Sequence, residues 1–179
     1  MNDKKILELF KGGQREKAFT KLYSLYPKIE ALVISKGGQK QDASDVFQEA
    51  LIILNRNLEK SDFELTSSFY TYLYSVSRFI WKDTQKKFSK QEFRNLSSTE
   101  VEHFHSVLEE KKYQRAELAF LELGKRCQEL LRMFYLKAMS FKAIAKVMQF
   151  KSEKVAKNQK YKCLSKAKDI YQASETIQS

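Results

Sequence analysis

Apolar residues recur along this chain at helical spacings, in segments set apart by glycine pairs and polar stretches. Ile6, Leu7 and Phe10 mark a short helix, capped by Asn2 or Asp3 and stopped at Gly12-Gly13. A longer pattern follows through Ala18, Phe19, Leu22, Tyr23, Leu25 and Tyr26. Pro27 either kinks it or begins a new helix, and Ile29, Leu32 and Val33 continue its apolar face as far as Gly37-Gly38. Asp42 is placed to cap a helix running to about Asn57, with Val46, Phe47, Ala50, Leu51, Ile53 and Leu54 on its buried face. After a loop, 58–68, a further helix spans about Phe69 to Phe88, with Phe69, Tyr72, Leu73, Val76 and Ile80 as its apolar stripe.

Residues 89–112 are polar and slightly acidic with little periodicity, and read as an interdomain linker with local helix near its end. The apolar period returns from Tyr113 with Leu118 and Leu121, breaks at Gly124, and resumes in Leu130, Leu131, Phe134 and Tyr135. Ser140 is placed to cap the next helix, whose buried face is Phe141, Ile144, Ala145 and Met148. Phe150 lies beyond a turn, and a second helix begins near Ser152 with Val155 and Leu164 as inward anchors. Short apolar helix, break, basic helix is the pattern of a helix-turn-helix, which places a helix in the DNA major groove. The predicted fold is all-α: two small helical domains, 1–88 and 113–179, joined by a polar linker, 89–112. A single proline and five glycines agree with that class.

Charge sharpens the picture. The net charge is +11, and residues 113–179 hold 14 Lys and Arg against 6 Asp and Glu. Basic excess concentrated in the segment with the helix-turn-helix pattern points to a polyanionic partner. The longest apolar run, Ala50–Leu54, is far short of a membrane span, and no long apolar stretch follows the first residues as a secretion signal would. Cys127 and Cys163 lack CxxC spacing and read as reduced thiols on helices, consistent with the cytosol. The five glycines form no phosphate-cradling loop. His103 and His105 both sit in the linker without a nearby cysteine, so no metal site or other cofactor is expected. No clustered carboxylates suggest a hydrolase or nuclease, and no enzyme is predicted.

Three surfaces carry candidate chemistry. Asp45, Gln48, Glu49, Ile52 and Arg56 share the side of their helix opposite the apolar face. An exposed isoleucine among acid and amide groups suits a partner-binding patch, or is a stray apolar residue on a solvated face. On the helix from Phe69, Thr71, Ser75, Arg78, Lys82 and Lys86 form a polar and basic stripe, flanked by Tyr70, Tyr74, Ser77 and Trp81. Cations beside exposed rings suit single-stranded nucleic acid, where rings stack on unpaired bases. Alternatively the rings are core and the lysines merely solvated. In the last helix, Lys151, Lys154, Lys157, Asn158, Lys160, Tyr161 and Lys162 are candidates for phosphate and base-edge contacts.

Three blocks in this order resemble the bacterial RNA polymerase sigma factors, specifically the extracytoplasmic-function (ECF) group. Asp42-Ala43-Ser44-Asp45-Val46-Phe47-Gln48-Glu49 is similar to that family's Asp-Ala-x-Asp-x-x-Gln-Glu block. Phe69-Tyr70-Thr71-Tyr72-Leu73-Tyr74-Ser75-Val76-Ser77-Arg78 resembles its Phe-x-x-Trp-Leu-x-x-Ile-Ala-Arg block. Met139-Ser140-Phe141-Lys142-Ala143-Ile144-Ala145 resembles its Leu-Ser-Tyr-x-Glu-Ile-Ala block. The likeness spans about Phe19–Ile170 without the linker.

The resemblance implies that Asp45, Gln48, Glu49 and Ile52 dock on the clamp helices of the polymerase core. It implies that Thr71, Ser75, Arg78, Lys82 and Lys86 hold the melted −10 strand, with a flipped base near Phe63–Ser68. Lys151, Ser152, Lys154, Lys157, Asn158, Lys160 and Tyr161 would meet the −35 duplex. An anti-sigma factor becomes a candidate partner, membrane insertion is not implied, and the protein would work in the cytoplasm. Tyr72 stands where Trp is common, Phe79 where Asn is common, Gln149 where the turn often has glycine, and Ala156 where a basic residue is frequent. Gln149 is therefore expected to avoid positive φ, and Lys157 and Lys160 to take over the phosphate work lost at Ala156. The rival reading is a two-domain helix-turn-helix regulator that binds duplex DNA without docking on polymerase.

Overall fold

The computed structural model describes residues 2–88 and 104–176; the expected linker over 89–103, and His103 with it, lie outside them. The described residues contain helices and turns and no strand. The chain divides into two compact units, Met1–Val101 and Glu102–Ser179.

The first unit contains α1 (Asp3–Lys11), α2 (Arg15–Leu22), a 3-10 turn (Tyr23–Leu25), α3 (Tyr26–Ser35), α4 (Lys40–Leu58) and α5 (Phe69–Phe88). Asn2 caps α1 by accepting from the Lys5 N–H at 3.3 Å. Asp3 does a different job, since its carboxylate accepts from the Phe69 N–H at 3.1 Å, placing an anion at the start of α5. The Phe10 and Phe69 rings, 6.2 Å apart, join the same two helices. Pro27 sits in the first turn of α3, where its missing N–H costs nothing.

Gly37 ends α3 at φ 82°, and the Gly38 N–H returns to the Val33 carbonyl at 2.9 Å, a Schellman closure. Gly38 is also needed for space, because a Cβ there would run into Val33 and come within 2.8 Å of the Trp81 ring. Trp81 Nε1–H and Gln85 Nε2–H both donate to the Lys36 carbonyl, at 3.3 and 2.6 Å. Asp42 proves to be the third helical residue of α4 rather than its cap. Its carboxylate accepts from the Gln39 N–H at 2.8 Å, which moves the helix start back to Lys40.

The second unit contains α6 (Phe104–Glu122), α7 (Lys125–Tyr135), α8 (Phe141–Val147) and α9 (Glu153–Thr176). Helix therefore begins inside the expected linker, and α6 packs on α9. Leu118 and Leu121, expected as core, are 59% and 43% exposed, and Ala119 and Leu123 are buried instead. Gln128 donates to the Leu121 and Leu123 carbonyls at 2.9 and 2.6 Å, which closes the end of α6 before Gly124. The core joins Leu130, Leu131 and Phe134 of α7 to Phe141 and Ile144 of α8, with Phe134 and Phe141 stacked at 4.8 Å.

Cys127 and Cys163 are joined by a disulfide, Cα to Cα 5.4 Å, which overturns the expectation of reduced thiols. Sequence spacing alone did not reveal that α7 and α9 pack side by side with these residues facing each other.

The turn between α8 and α9 corrects a second expectation. Gln149 does adopt positive φ, 57°, and the Phe150 N–H donates to the Ala145 carbonyl at 2.9 Å. This is the same Schellman closure as at Gly37, built without glycine. Arg126 offsets the strain, donating from its guanidinium to the Met148 carbonyl at 3.0 Å and lying 5.0 Å from the Phe150 ring centre. Replacing Gln149 by glycine should relieve the left-handed cost and raise this unit's stability by about 1 kcal/mol. Urea denaturation of Gln149→Gly against wild type measures it.

Candidate protein and nucleic-acid interfaces

Helix α4 buries Ala43, Val46, Phe47, Ala50, Leu51, Ile53, Leu54 and Asn57. The opposite side is left to Asp45, Gln48, Glu49 and Ile52, all exposed, with Ile52 at 51%. Their spacing puts them on one stripe, so the structure brings the four predicted docking residues together. Gln41 donates to Asp45 at 3.2 Å and Gln48 to Ser44 at 3.3 Å, so the polar groups around Ile52 are held along the helix surface.

Helix α5 is the centre of the first unit and buries most of its circumference. Tyr74, Ser77 and Trp81, expected on an accessible flank, are buried at 9%, 0% and 5% exposure. The aromatic flank is therefore core, because α3 and α4 both pack on this helix. Tyr70 is half-buried, with its ring 5.5 Å from Tyr74 and the Lys28 ammonium 4.4 Å from its centre. Of the polar stripe, Thr71, Ser75 and Lys82 are half-buried, Lys86 is exposed, and Arg78 is buried at 9%. Arg78 falls at the edge of the buried sector, where helical geometry alone left it in the stripe. Thr71 also completes the helix start: Ser68 accepts from its N–H at 3.0 Å and donates to its hydroxyl at 2.9 Å. In the loop before it, Phe63 lies edge-on to Tyr72 at 5.8 Å, and Asn57 donates to the Tyr72 hydroxyl at 2.7 Å.

Residues 22–90 match the family model for sigma-70 region 2. The match supports a member of the sigma-70 family. It takes in α3, α4 and α5, the helices that carry the two surfaces just described. No curated protein matches the chain.

In the second unit, Ser140 caps α8 and Ser152 caps α9, accepting from the Ala143 and Val155 N–H groups at 3.2 and 3.3 Å. Helix α9 turns a different face inward from the one expected. Ala156, Lys160 and Cys163 are buried, while Val155 is 41% exposed and Leu164 half-buried. Ala156 is fully buried on the inward face of α9, so a basic side chain there would point away from the helix's outward side.

Lys160 is likewise removed from the predicted DNA face, at 6% exposure, with its ammonium 4.8 Å from the Phe134 ring centre and 5.6 Å from that of Tyr135. Aromatic faces attract the cation where water is excluded. The same ammonium lies 4.1 Å from the ring centre of Tyr161, which is itself 50% exposed. Lys151, Ser152, Lys154, Lys157, Asn158 and Tyr161 remain exposed. Lys154, Asn158 and Tyr161 share one outward stripe at i, i+4 and i+7, with Lys157 on its flank. Val147, exposed at 57%, and the turn-holding Arg126 escape the sequence reading, and Val155 is exposed where an inward anchor is expected. Apolar residues were assigned inward by type, and nothing local ties Arg126 to a turn 22 positions away.

Among the described residues, no group of three or more His, Cys, Asp and Glu is placed to hold a metal ion, and no helix is long and apolar enough to cross a membrane.

The different environments of two neighbouring lysines are separable. Lys160→Ala should cost this unit about 2 kcal/mol through its lost stem packing and ring contacts. Lys157→Ala should stay within about 0.5 kcal/mol of wild type, with both read from denaturation midpoints. Burial, and then the charge of Tyr161, raise the Tyr135 hydroxyl from 10.0 to about 12. The folded state thus holds a proton that the unfolded state loses first. The contribution is fully present below pH 10 and disappears as pH rises through about 12. Phenolate absorbance should show a late-ionising component that Tyr135→Phe removes.

Proposed function

We propose that this chain is an RNA polymerase sigma factor of the ECF type, which directs the core enzyme to specific promoters and catalyses nothing itself. The region 2 match supports the coarser part of that reading, a sigma-factor role in polymerase binding and promoter melting. The observation that carries the finer part is the pairing of two surfaces in separate units. One unit presents Asp45, Gln48, Glu49 and Ile52 together, and the other presents a lysine-lined helix behind a capped turn.

In this reading the α4 stripe docks on the core, with Ile52 as an apolar centre ringed by polar groups. The accessible sliver of α5, Thr71, Ser75, Lys82 and Lys86, follows the phosphates of the melted −10 strand. The burial of Tyr74 and Trp81 leaves the strand to be held by cations more than by stacked rings. Helix α9 enters the −35 major groove with its first turns, where Asn158 and Tyr161 face base edges and Lys151, Lys154 and Lys157 meet phosphates. The work is cytoplasmic, no cofactor is needed, and an anti-sigma factor is a further candidate partner.

The deciding experiment is runoff transcription by purified core on a promoter library, with and without the chain. Chain-dependent initiation at a defined promoter set is expected. Duplex binding without initiation would mark a repressor-like regulator instead. Glu49→Lys should weaken core binding with an unchanged melting temperature, and unchanged core binding would reject the α4 docking face. Lys157→Ala should reduce the salt dependence of duplex binding by about one phosphate contact.

A further inference from the structure

The disulfide does more than link two helices. It encloses residues 128–162, and that interval holds α8, the turn, and every residue assigned above to −35 reading. The recognition helix is therefore tied to its supporting helix at the far end of its DNA-reading stretch. We propose that the Cys127–Cys163 pair is a reversible redox site that sets the −35 affinity of this helix-turn-helix. This rests on the sigma-factor reading, which places the chain in a reducing compartment. There a disulfide is ordinarily transient and redox-sensing rather than a permanent staple.

The two sulfurs differ in a way that fits the chemistry. Cys127 lies in the first turn of α7, directly after Lys125 and Arg126, and is half-buried. Of two paired cysteines, the partly exposed one is the one an oxidant reaches first. Cys163 is 1% exposed on the inward face of α9, and its sulfur accepts from Gln159 at 3.6 Å. Cys127 thus meets the oxidant and Cys163 resolves it. With hydrogen peroxide, the Cys127 thiolate attacks one oxygen and breaks the O–O bond. The released hydroxide takes a proton and leaves as water, and Cys127 becomes a sulfenic acid. The Cys163 sulfur then attacks Cys127 sulfur, the S–S bond forms, and the hydroxyl departs with the Cys163 proton as a second water. Two thiols lose two electrons, and the peroxide gains them. A dithiol reductant reverses the result by exchange.

Without the bond, α9 loses its one covalent tie to α7 and keeps non-covalent contacts such as those of Lys160 with the Phe134 and Tyr135 rings. If the reduced helix spends a tenth of its time in the reading position, apparent affinity falls about tenfold.

The test uses the full chain cycled between hydrogen peroxide and dithiothreitol. Intact mass and non-reducing peptide mapping follow the bond, and fluorescence anisotropy follows binding to a duplex enriched from a random promoter library by the oxidised chain. Binding to core polymerase, which the first unit carries, is measured alongside. We expect the oxidised chain to bind the duplex about tenfold more tightly, reversibly, with core binding unchanged. Cys127→Ser should stay at the reduced affinity in peroxide. Equal affinity in both wild-type states, or thiols that stay free in peroxide, overturns the redox proposal while leaving the sigma-factor reading intact. Failure to enrich any duplex, or to bind core in either state, overturns that reading and this proposal with it.

Discussion

Which face α9 turns inward governs the whole carboxy-terminal unit, and that face begins with the fully buried Ala156. The next inward positions, Lys160 and Cys163, also lie within the core. Burying a lysine there would be costly if its charge faced only hydrocarbon. The rings of Phe134, Tyr135 and Tyr161 surround the ammonium instead, and its long stem fills space an aliphatic residue would fill. These buried positions, with the bond from Cys163 to α7, fix the rotation of α9 about its own axis. That rotation decides which side chains face outward.

The amino-terminal unit solves a related problem with a different helix. α5 packs on α3 and α4, and its start is joined to α1, so it has little surface to spare. Its indole closes the end of α3 through the Lys36 carbonyl, and Gly38 makes room for that ring. The outward groups of α5 therefore sit on a backbone fixed from several directions, while α4 leaves one full side exposed. Rigidity and exposure are divided between neighbouring helices.

Much of this was legible from residue spacing, and the failures have a common physical cause. The α4 stripe was readable because its buried side is almost wholly aliphatic and aromatic, so the remainder had to face out. The inward face of α9 was not, because it is made of an alanine, a lysine and a cysteine. Val155 looked like the anchor and is exposed. On α5 an amphipathic stripe implies one buried side, but a helix packed by neighbours on several sides also buries Tyr74, Trp81 and Arg78. Spacing reports which residues share a face, whereas the number of neighbours a helix has is a tertiary property. The turn at Gln149 was misjudged because intrinsic preference was weighed without Arg126, whose contribution comes from another helix.

Asp3 carries a consequence for where the functional unit ends. The segment that matches region 2 begins at residue 22, well after α1 has finished. Yet the carboxylate on the first amide of α5, and the Phe10 ring beside Phe69, both come from α1. The signature by which this domain is recognised is thus smaller than the body that holds it in shape. A fragment cut at the edges of that signature would keep the exposed stripe of α4 and the outward groups of α5. It would also strip the leading end of α5 of the Asp3 carboxylate and the Phe10 ring, leaving Ser68 as its cap.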